Sequence, residues 1–286
     1  MPFKQVNEVK LYYQVKGSGI PIIFIHPPLL TCSNFIYQTQ QLSDEFEVIT
    51  FDIRGHGLSQ SSKEPLTFSL IADDIIQLLD FLKIKRCYIC GYSTGGTIAL
   101  EAMLTYPDRF FGGILISAMS EVSDFKLKRR IMMAIGLTSI RAKSFLAYVI
   151  TRGNADMKPT FKQLYKEAKR GNVKNIKQYY KATLSYNCSS KLKYIQSPQL
   201  LIYGDQDKGF HKYANILHKE LPNNEIHFLE GKTHQIPTKS ALHMNHLITN
   251  WIENHQKDLC KQNEDIAHLD FCNMIKESEN GLDNFH

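Results

Sequence analysis

The sequence predicts an α/β protein with a mostly parallel, doubly wound sheet and one inserted helical segment. Three observations lead there. Short β-rich runs alternate with helical periods at both ends of the chain, a long basic stretch between them carries helical pattern without a strand, and no stretch approaches the roughly 18 apolar residues of a membrane span. With 286 residues, 43% of them hydrophobic and 22% charged, the chain can bury a large core of this kind. A small disulfide-stapled scaffold, a fibrous protein and a disordered one are excluded.

The opening elements differ from the rest. Phe3 to Val6 and Val9 to Val15 alternate apolar and polar residues around Asn7-Glu8, the pattern of a hairpin. Thereafter Pro21 to His26, Glu47 to Asp52, Cys87 to Gly91 and Phe111 to Ser117 read as strands, each a short β-rich run. Between them Asn34 to Leu42, Phe68 to Leu82 and Thr94 to Tyr106 carry the helical period. Such alternation implies parallel strands and a sheet covered on both faces. It resumes with strands at Gln199 to Gly204 and Glu225 to Leu229 and helices at Tyr213 to Lys219 and Ser240 to Asn254.

Residues 121–193 interrupt this order. They hold 17 Lys and Arg against Glu121, Asp124, Asp156 and Glu167, a net +13 that leaves −7 for the rest of a chain whose total is +6. The aromatic and Met residues here (Met132, Met133, Phe145, Tyr148, Tyr165, Tyr179, Tyr180, Tyr186) read as helical, an insertion over the sheet's C-terminal edge. A basic surface of this size attracts anionic substrates, membrane surfaces or nucleic acid, although solvated Lys faces on long helices are the plainer reading. No nucleic-acid motif accompanies it. The expected organisation is a core over 1–120 and 194–254, an insertion over 121–193 and an extension over 255–286. In the extension Leu259, Ile266, Leu269, Cys272 and Ile275 either line one docking face, on the body, a protein partner or a second copy, or fray.

Six cysteines, Cys32, Cys87, Cys90, Cys188, Cys260 and Cys272, are too scattered for a disulfide framework. Cys87 and Cys90 have C-x-x-C spacing, but within the apolar run Cys-Tyr-Ile-Cys they read as a buried strand, whereas a redox dithiol needs a helix N-terminus. The first residues, Met-Pro-Phe-Lys-Gln-Val-Asn-Glu, lack the apolar run of a secretory signal, so the expected address is the cytoplasm.

The chemistry concentrates at Gly91-Tyr92-Ser93-Thr94-Gly95, a G-x-S-x-G pentapeptide between an expected strand and an expected helix. Small residues on both sides of Ser93 permit a sharp turn that exposes its hydroxyl, and the helix N-terminus behind it favours developing negative charge. A serine hydroxyl is a weak nucleophile at neutral pH, so such a turn requires a base and an orienting acid. His234, on a loop after the last expected strand, suits the base; Asp207 suits the acid, with Asp205 competing. His227 lies in a strand pattern, and His211, His218, His243 and His246 fall on or beside helices, where packing or solvation is the expected role.

With these residues in place the chain resembles the α/β-hydrolase superfamily over about Phe3 to Asn254. Asp52-Ile53-Arg54-Gly55-His56-Gly57-Leu58-Ser59 is similar to its D-x-R-G-x-G-x-S loop, and Tyr106-Pro107-Asp108-Arg109-Phe110 to the turn after its nucleophile helix. The resemblance implies Ser93, His234 and Asp207 as nucleophile, base and acid, the acid standing three positions after the Gly that ends its strand. It also implies that the insertion is a substrate-shaping cap and that neither cofactor nor metal takes part. One departure stands out. Where the family carries H-G-x, whose last amide joins the amide after the nucleophile in an oxyanion hole, this chain has His26-Pro27-Pro28-Leu29. Proline has no N–H. A shifted loop, rearranged or with a cis X-Pro bond, would offer Leu29 beside Thr94 as donor; an unshifted one would disable the hole. The implied activity is hydrolysis of a small ester, lactone, thioester or activated carbonyl compound. The alternative is a ligand sensor of the same fold with slow or no turnover.

Overall fold

The computed structural model describes residues 2–140 and 142–257. Eight strands form one sheet in the order β1-β2-β4-β3-β5-β6-β7-β8. Their ranges are β1 Phe3–Val6, β2 Val9–Lys16, β3 Ile20–Ile25, β4 Phe46–Phe51, β5 Cys87–Tyr92, β6 Phe110–Ile116, β7 Gln199–Gly204 and β8 Asn224–Leu229. The hairpin β1–β2 and the β2–β4 pair are antiparallel, and every pair from β4 to β8 is parallel. Each expected strand is present within a residue or two of its predicted ends. The hairpin turns on Asn7 and Glu8, both with positive φ (41° and 64°), as a two-residue turn demands.

The central strands are buried on both faces: every residue of β5 and β7 is buried, which is why they read as continuous apolar runs without alternation. Helices α1 Ile36–Gln41, α2 Phe68–Phe81 and α3 Thr94–Thr105 connect the first parallel strands. Thr67 caps α2 by accepting from the Leu70 amide at 3.1 Å. The single helix expected over Asn34 to Leu42 divides instead into a 3-10 turn, Cys32–Phe35, and the short α1.

Between β6 and β7 the chain forms four helices: α4 Phe125–Ser139, α5 Lys143–Asn154, α6 Lys158–Ala168 and α7 Val173–Ser185. Asp124 caps α4 and Asn172 caps α7. The two ends of this segment are joined beneath the helices by an isolated antiparallel bridge between Glu121 and Asn187, by Cys188 N–H donating to Ser120 O at 3.0 Å, and by the Ser120 and Ser189 hydroxyls at 2.8 Å. Helices α8 His211–Glu220 and α9 Ile236–Lys239 follow. The short α9, with Pro237 as its second residue, was not legible as a helix of its own. The chain divides into two compact units, Met1–Asn245 and His246–His286. The second is helical through residue 257, with Trp251 stacked on His255; the extension expected over 255–286 lies almost wholly outside the described residues. Among the described residues no helix is long and apolar enough to cross a membrane.

The loop after β4 is pinned by buried polar groups. Arg54 grips Asp74 of α2 with two hydrogen bonds of 2.6 and 2.7 Å, and Asn7 of the hairpin turn donates to the same carboxylate. Burial raises the Asp74 carboxyl, and the guanidinium pulls against that rise. Removing one partner of such a pair leaves a buried charge uncompensated, at a cost of about 3–5 kcal/mol. Asp52 is buried and accepts the amides of Cys32 and Leu58 at 2.9 and 2.8 Å; burial pushes its carboxyl up to about 6 against those two bonds. His26, at the end of β3, accepts the Ile53 amide on Nε2 at 2.9 Å, with Nδ1 2.9 Å from its neighbour's Pro27 carbonyl. That pattern fits a neutral ring with its proton on Nδ1. Burial, helped by the adjacent His56, pushes His26 down to about 3, and burial pushes His56 down to about 4.

These groups contribute to the acid sensitivity of the fold. From pH 6.5 toward 4 both histidines stay neutral when folded and gain protons on unfolding, while Asp52, protonated in the folded state below about 6, loses its proton on unfolding. Two protons are taken up and one released, so stability falls as pH drops. A calorimetric midpoint that declines across this window, with a shallower decline in His56→Leu, is the expected result; an unchanged midpoint would contradict the buried neutral pair.

Candidate active site

Strand β5 ends at Tyr92 and helix α3 begins at Thr94, so one residue makes the whole connection. Ser93 takes φ 54° and ψ −121°, a conformation that non-glycine residues rarely adopt. The flanking glycines make this turn possible. A Cβ on Gly95 would stand 2.1 Å from the Ile25 carbonyl oxygen, and one on Gly91 would stand 2.4 Å from the Gly95 carbonyl oxygen. The turn is anchored by the Ser93 amide donating to Ile116 O at 2.8 Å.

The order of strands reverses beside β3, with β4 on one side and β5 on the other. Loops leaving the C-terminal ends at such a switch point form a crevice, and Ser93 sits there with the loops after β3, β6, β7 and β8. His234, after β8, places Nε2 3.0 Å from Ser93 Oγ. Its Nδ1 lies 2.7 Å from Asp207 Oδ2, on the loop after β7. The arrangement suits Ser93 O–H donating to Nε2 and Nδ1–H donating to the carboxylate. The side chains of His234 and Asp207 are only 20% and 13% exposed, so their interaction is screened less than a surface pair. Phe210 and Tyr92 hold the imidazole from its sides, with ring centroids at 4.2 and 5.4 Å. Asp205 is engaged elsewhere: its carboxylate accepts the Lys232 amide at 3.2 Å and the Gln206 side chain at 3.1 Å.

The loop after β3 contains only trans peptide bonds, which removes the cis X-Pro arrangement considered from the sequence. Pro28 and Leu29 form a turn in which Leu29 has φ 72°. Proline followed by a positive-φ residue is the signature of a type II turn. Among the described residues, neither the Leu29 nor the Thr94 amide donates to a protein acceptor. The Leu29 side chain turns into the core, while Pro28 and Leu30 line the cavity beside Ser93. His26 fixes the start of this loop, and Tyr179 of α7 donates to the His26 carbonyl at 3.1 Å.

That cavity measures about 270 Å³, the small end of ligand sites. Its apolar wall includes Pro28, Met119, Ile131, Ile150 and Phe210. Arg130 of α4, Asn154 of α5 and Tyr180 of α7 also reach it. Asn154 is committed, accepting from Tyr92 O–H at 3.0 Å and donating to Ile150 O at 2.9 Å. Arg130 pairs with no carboxylate among the described residues. The Tyr180 phenol is raised by burial, so it stays protonated in the neutral range. No sequence motif marks these three, because the inserted helices carry a helical period and nothing else. Among the described residues no three His, Cys, Asp or Glu side chains converge to hold a metal ion.

A family model described as the alpha/beta hydrolase fold matches residues 20–236. The chain belongs to the alpha/beta-hydrolase fold family. Relatives of this alpha/beta-hydrolase include the human protein called serine hydrolase BPHL, 24% identical over 255 residues, which cover 87% of this chain and 84% of that one. A 3-oxoadipate enol-lactonase from Acinetobacter baylyi is 25% identical over 206 residues, 70% of this chain and 77% of its own. Among solved structures, the esterase EaEST from Exiguobacterium antarcticum superposes with a TM-score of 0.81 at 19% identity, covering 88% of this chain and 98% of the esterase. At that identity the superposition speaks for the fold.

The clearance around Gly95 gives a direct test of the turn. Gly95→Ala is expected to cost about 2–3 kcal/mol, lowering the thermal midpoint by about 5–10 °C. An unchanged midpoint would mean that α3 does not approach β3 as described.

Proposed function

We propose that this alpha/beta-fold hydrolase is a serine hydrolase acting on a small ester, lactone, thioester or activated carbonyl compound through an acyl-enzyme intermediate. The hydrogen-bonded chain Ser93–His234–Asp207 carries the reading. Ser93 Oγ attacks the carbonyl carbon while His234 Nε2 takes its proton; the imidazolium is stabilised by Asp207, which stays ionised. The oxyanion accepts the Thr94 amide and, across the cavity, the Leu29 amide, the donor that the type II turn at Pro28-Leu29 leaves free. His234 then returns the proton to the leaving group. Water activated by the same nitrogen attacks the acyl-serine, and the acid departs. We assign the inserted helices α4 to α7 the role of a cap, since α4, α5 and α7 supply one side of the cavity wall. The four described cysteines are buried and free, in keeping with a reducing compartment such as the cytoplasm.

A fluorophosphonate probe tests this directly. Stoichiometric labelling at Ser93, lost in Ser93→Ala and His234→Ala, is expected; Asp207→Asn should lower kcat by about ten-thousandfold and Asp205→Asn by far less. No labelling of the folded wild type would overturn the reading. Pro28, which carries no N–H at the family's donor position, favours one second reading, a ligand sensor. It predicts labelling with turnover near zero and a protein partner captured only when the cavity is filled.

Arg130, an exposed cation without a carboxylate partner among the described residues, borders the mostly apolar cavity, so substrates with an anionic group are favoured. For an ester bearing a carboxylate, kcat/KM should fall steeply with salt and drop about tenfold or more in Arg130→Gln, with a neutral ester little changed. Equal losses for both would remove Arg130 from substrate selection.

A further inference from the structure

We infer that the outer faces of α4 and α5 are a docking surface for an anionic lipid bilayer. Of the fourteen large apolar side chains exposed among the described residues, eight lie between positions 125 and 157: Phe125, Met132, Met133, Ile140, Phe145, Tyr148, Val149 and Met157. Scattered exposed hydrophobes are ordinary, but a concentration of this kind marks an interaction surface. Phe125 is 76% exposed, Ile140 72% and Phe145 60%, so these side chains stand out from the surface.

Their spacing follows the helix. On α4, Phe125, Arg129, Met132, Met133 and Gly136 fall on one exposed stripe, with Lys126 and Lys128 beside it. On α5, Phe145, Tyr148, Val149 and Arg152 repeat the pattern. Neither helix contains an Asp or Glu. Apolar side chains flanked by Lys and Arg with no acidic residue are what an interfacial helix presents: the apolar groups enter the acyl boundary and the cations meet anionic headgroups. Charge complementarity selects this partner, because the segment carries a net +13 against −7 for the rest of the chain, and Lys126, Lys128, Arg129 and Arg152 on these two helices are exposed.

The opposite face of the same helices borders the cavity, through Leu127, Ile131 and Ala134 on α4 and Ile150 on α5. Docking therefore sets the cavity within one helix diameter, about 10 Å, of the lipid surface. The helical face that closes over Ser93 and the face that meets lipid belong to the same two rods.

Flotation with phosphatidylcholine vesicles, with and without about one-third phosphatidylglycerol, tests the assignment. The expected result is at least tenfold more protein floated by the anionic vesicles, a difference abolished near 1 M salt, where the screening length is about 3 Å. The pair Met132→Asp and Phe145→Asp should reduce flotation at least tenfold, as should Lys126→Gln, Lys128→Gln and Arg129→Gln together, with wild-type circular dichroism and thermal midpoint in both. Flotation that ignores vesicle charge, or survives either set of variants, overturns the assignment. So does no flotation accompanied by a dimer in sedimentation velocity that Met132→Asp and Phe145→Asp dissociate, which would make the occupant a second copy of this chain.

Discussion

The close approach of α3 to the strands beneath it is the constraint on which the site depends. Because Gly91 and Gly95 carry no Cβ, the helix can begin one residue after β5 ends, with the Gly95 backbone against the Ile25 carbonyl. A longer connection would lower Ser93 into the crevice or turn it away. With one residue, the hydroxyl stands at the mouth, and the first amides of α3 point to the same side, where a helix N-terminus stabilises negative charge. The strained φ and ψ of Ser93 are sustained by this packing.

Opposite that turn, the loop after β3 is held by a different set of forces. His26 and Asp52 are buried polar groups that satisfy backbone amides of neighbouring loops, Ile53 for the one and Cys32 and Leu58 for the other. Water cannot compete for these bonds, so they define loop positions that few apolar contacts would specify. The Arg54–Asp74 pair extends the same logic to α2 and the opening hairpin. Stability and site geometry thus draw on the same residues, and protonating His26 would remove the acceptor for the Ile53 amide.

Much of this was legible in the sequence, for identifiable reasons. Strands β3, β5 and β7 announce themselves because two-sided burial demands uninterrupted apolar runs, and the turn at Ser93 because only glycine fits on either side of it. The candidate positions Ser93 and His234 follow from the need of an activated serine for a base at a loop end; Asp205 competes with Asp207 for the acid's place on the residues alone, and the resemblance to the family selects Asp207, which the structure sets 2.7 Å from His234 Nδ1. Arg130 and Tyr180 were out of reach, since which residue of an amphipathic helix meets a cavity depends on the angle at which the helix crosses the sheet. The short α9 escaped for another reason: four residues carry no period to detect.

The stitched base of the inserted helices has a wider meaning. Glu121 and Asn187 pair directly, and Ser120, Cys188 and Ser189 reinforce the join, so the chain leaves the sheet and returns through a single gate. The entropy of closing the long excursion is spent at that gate, and it grows only slowly with the number of residues beyond it. Helices there can lengthen, shorten or be exchanged without moving β6, β7 or the residues they carry. In evolutionary terms, the inserted helices become a cassette that can drift and be replaced while the sheet underneath is inherited unchanged.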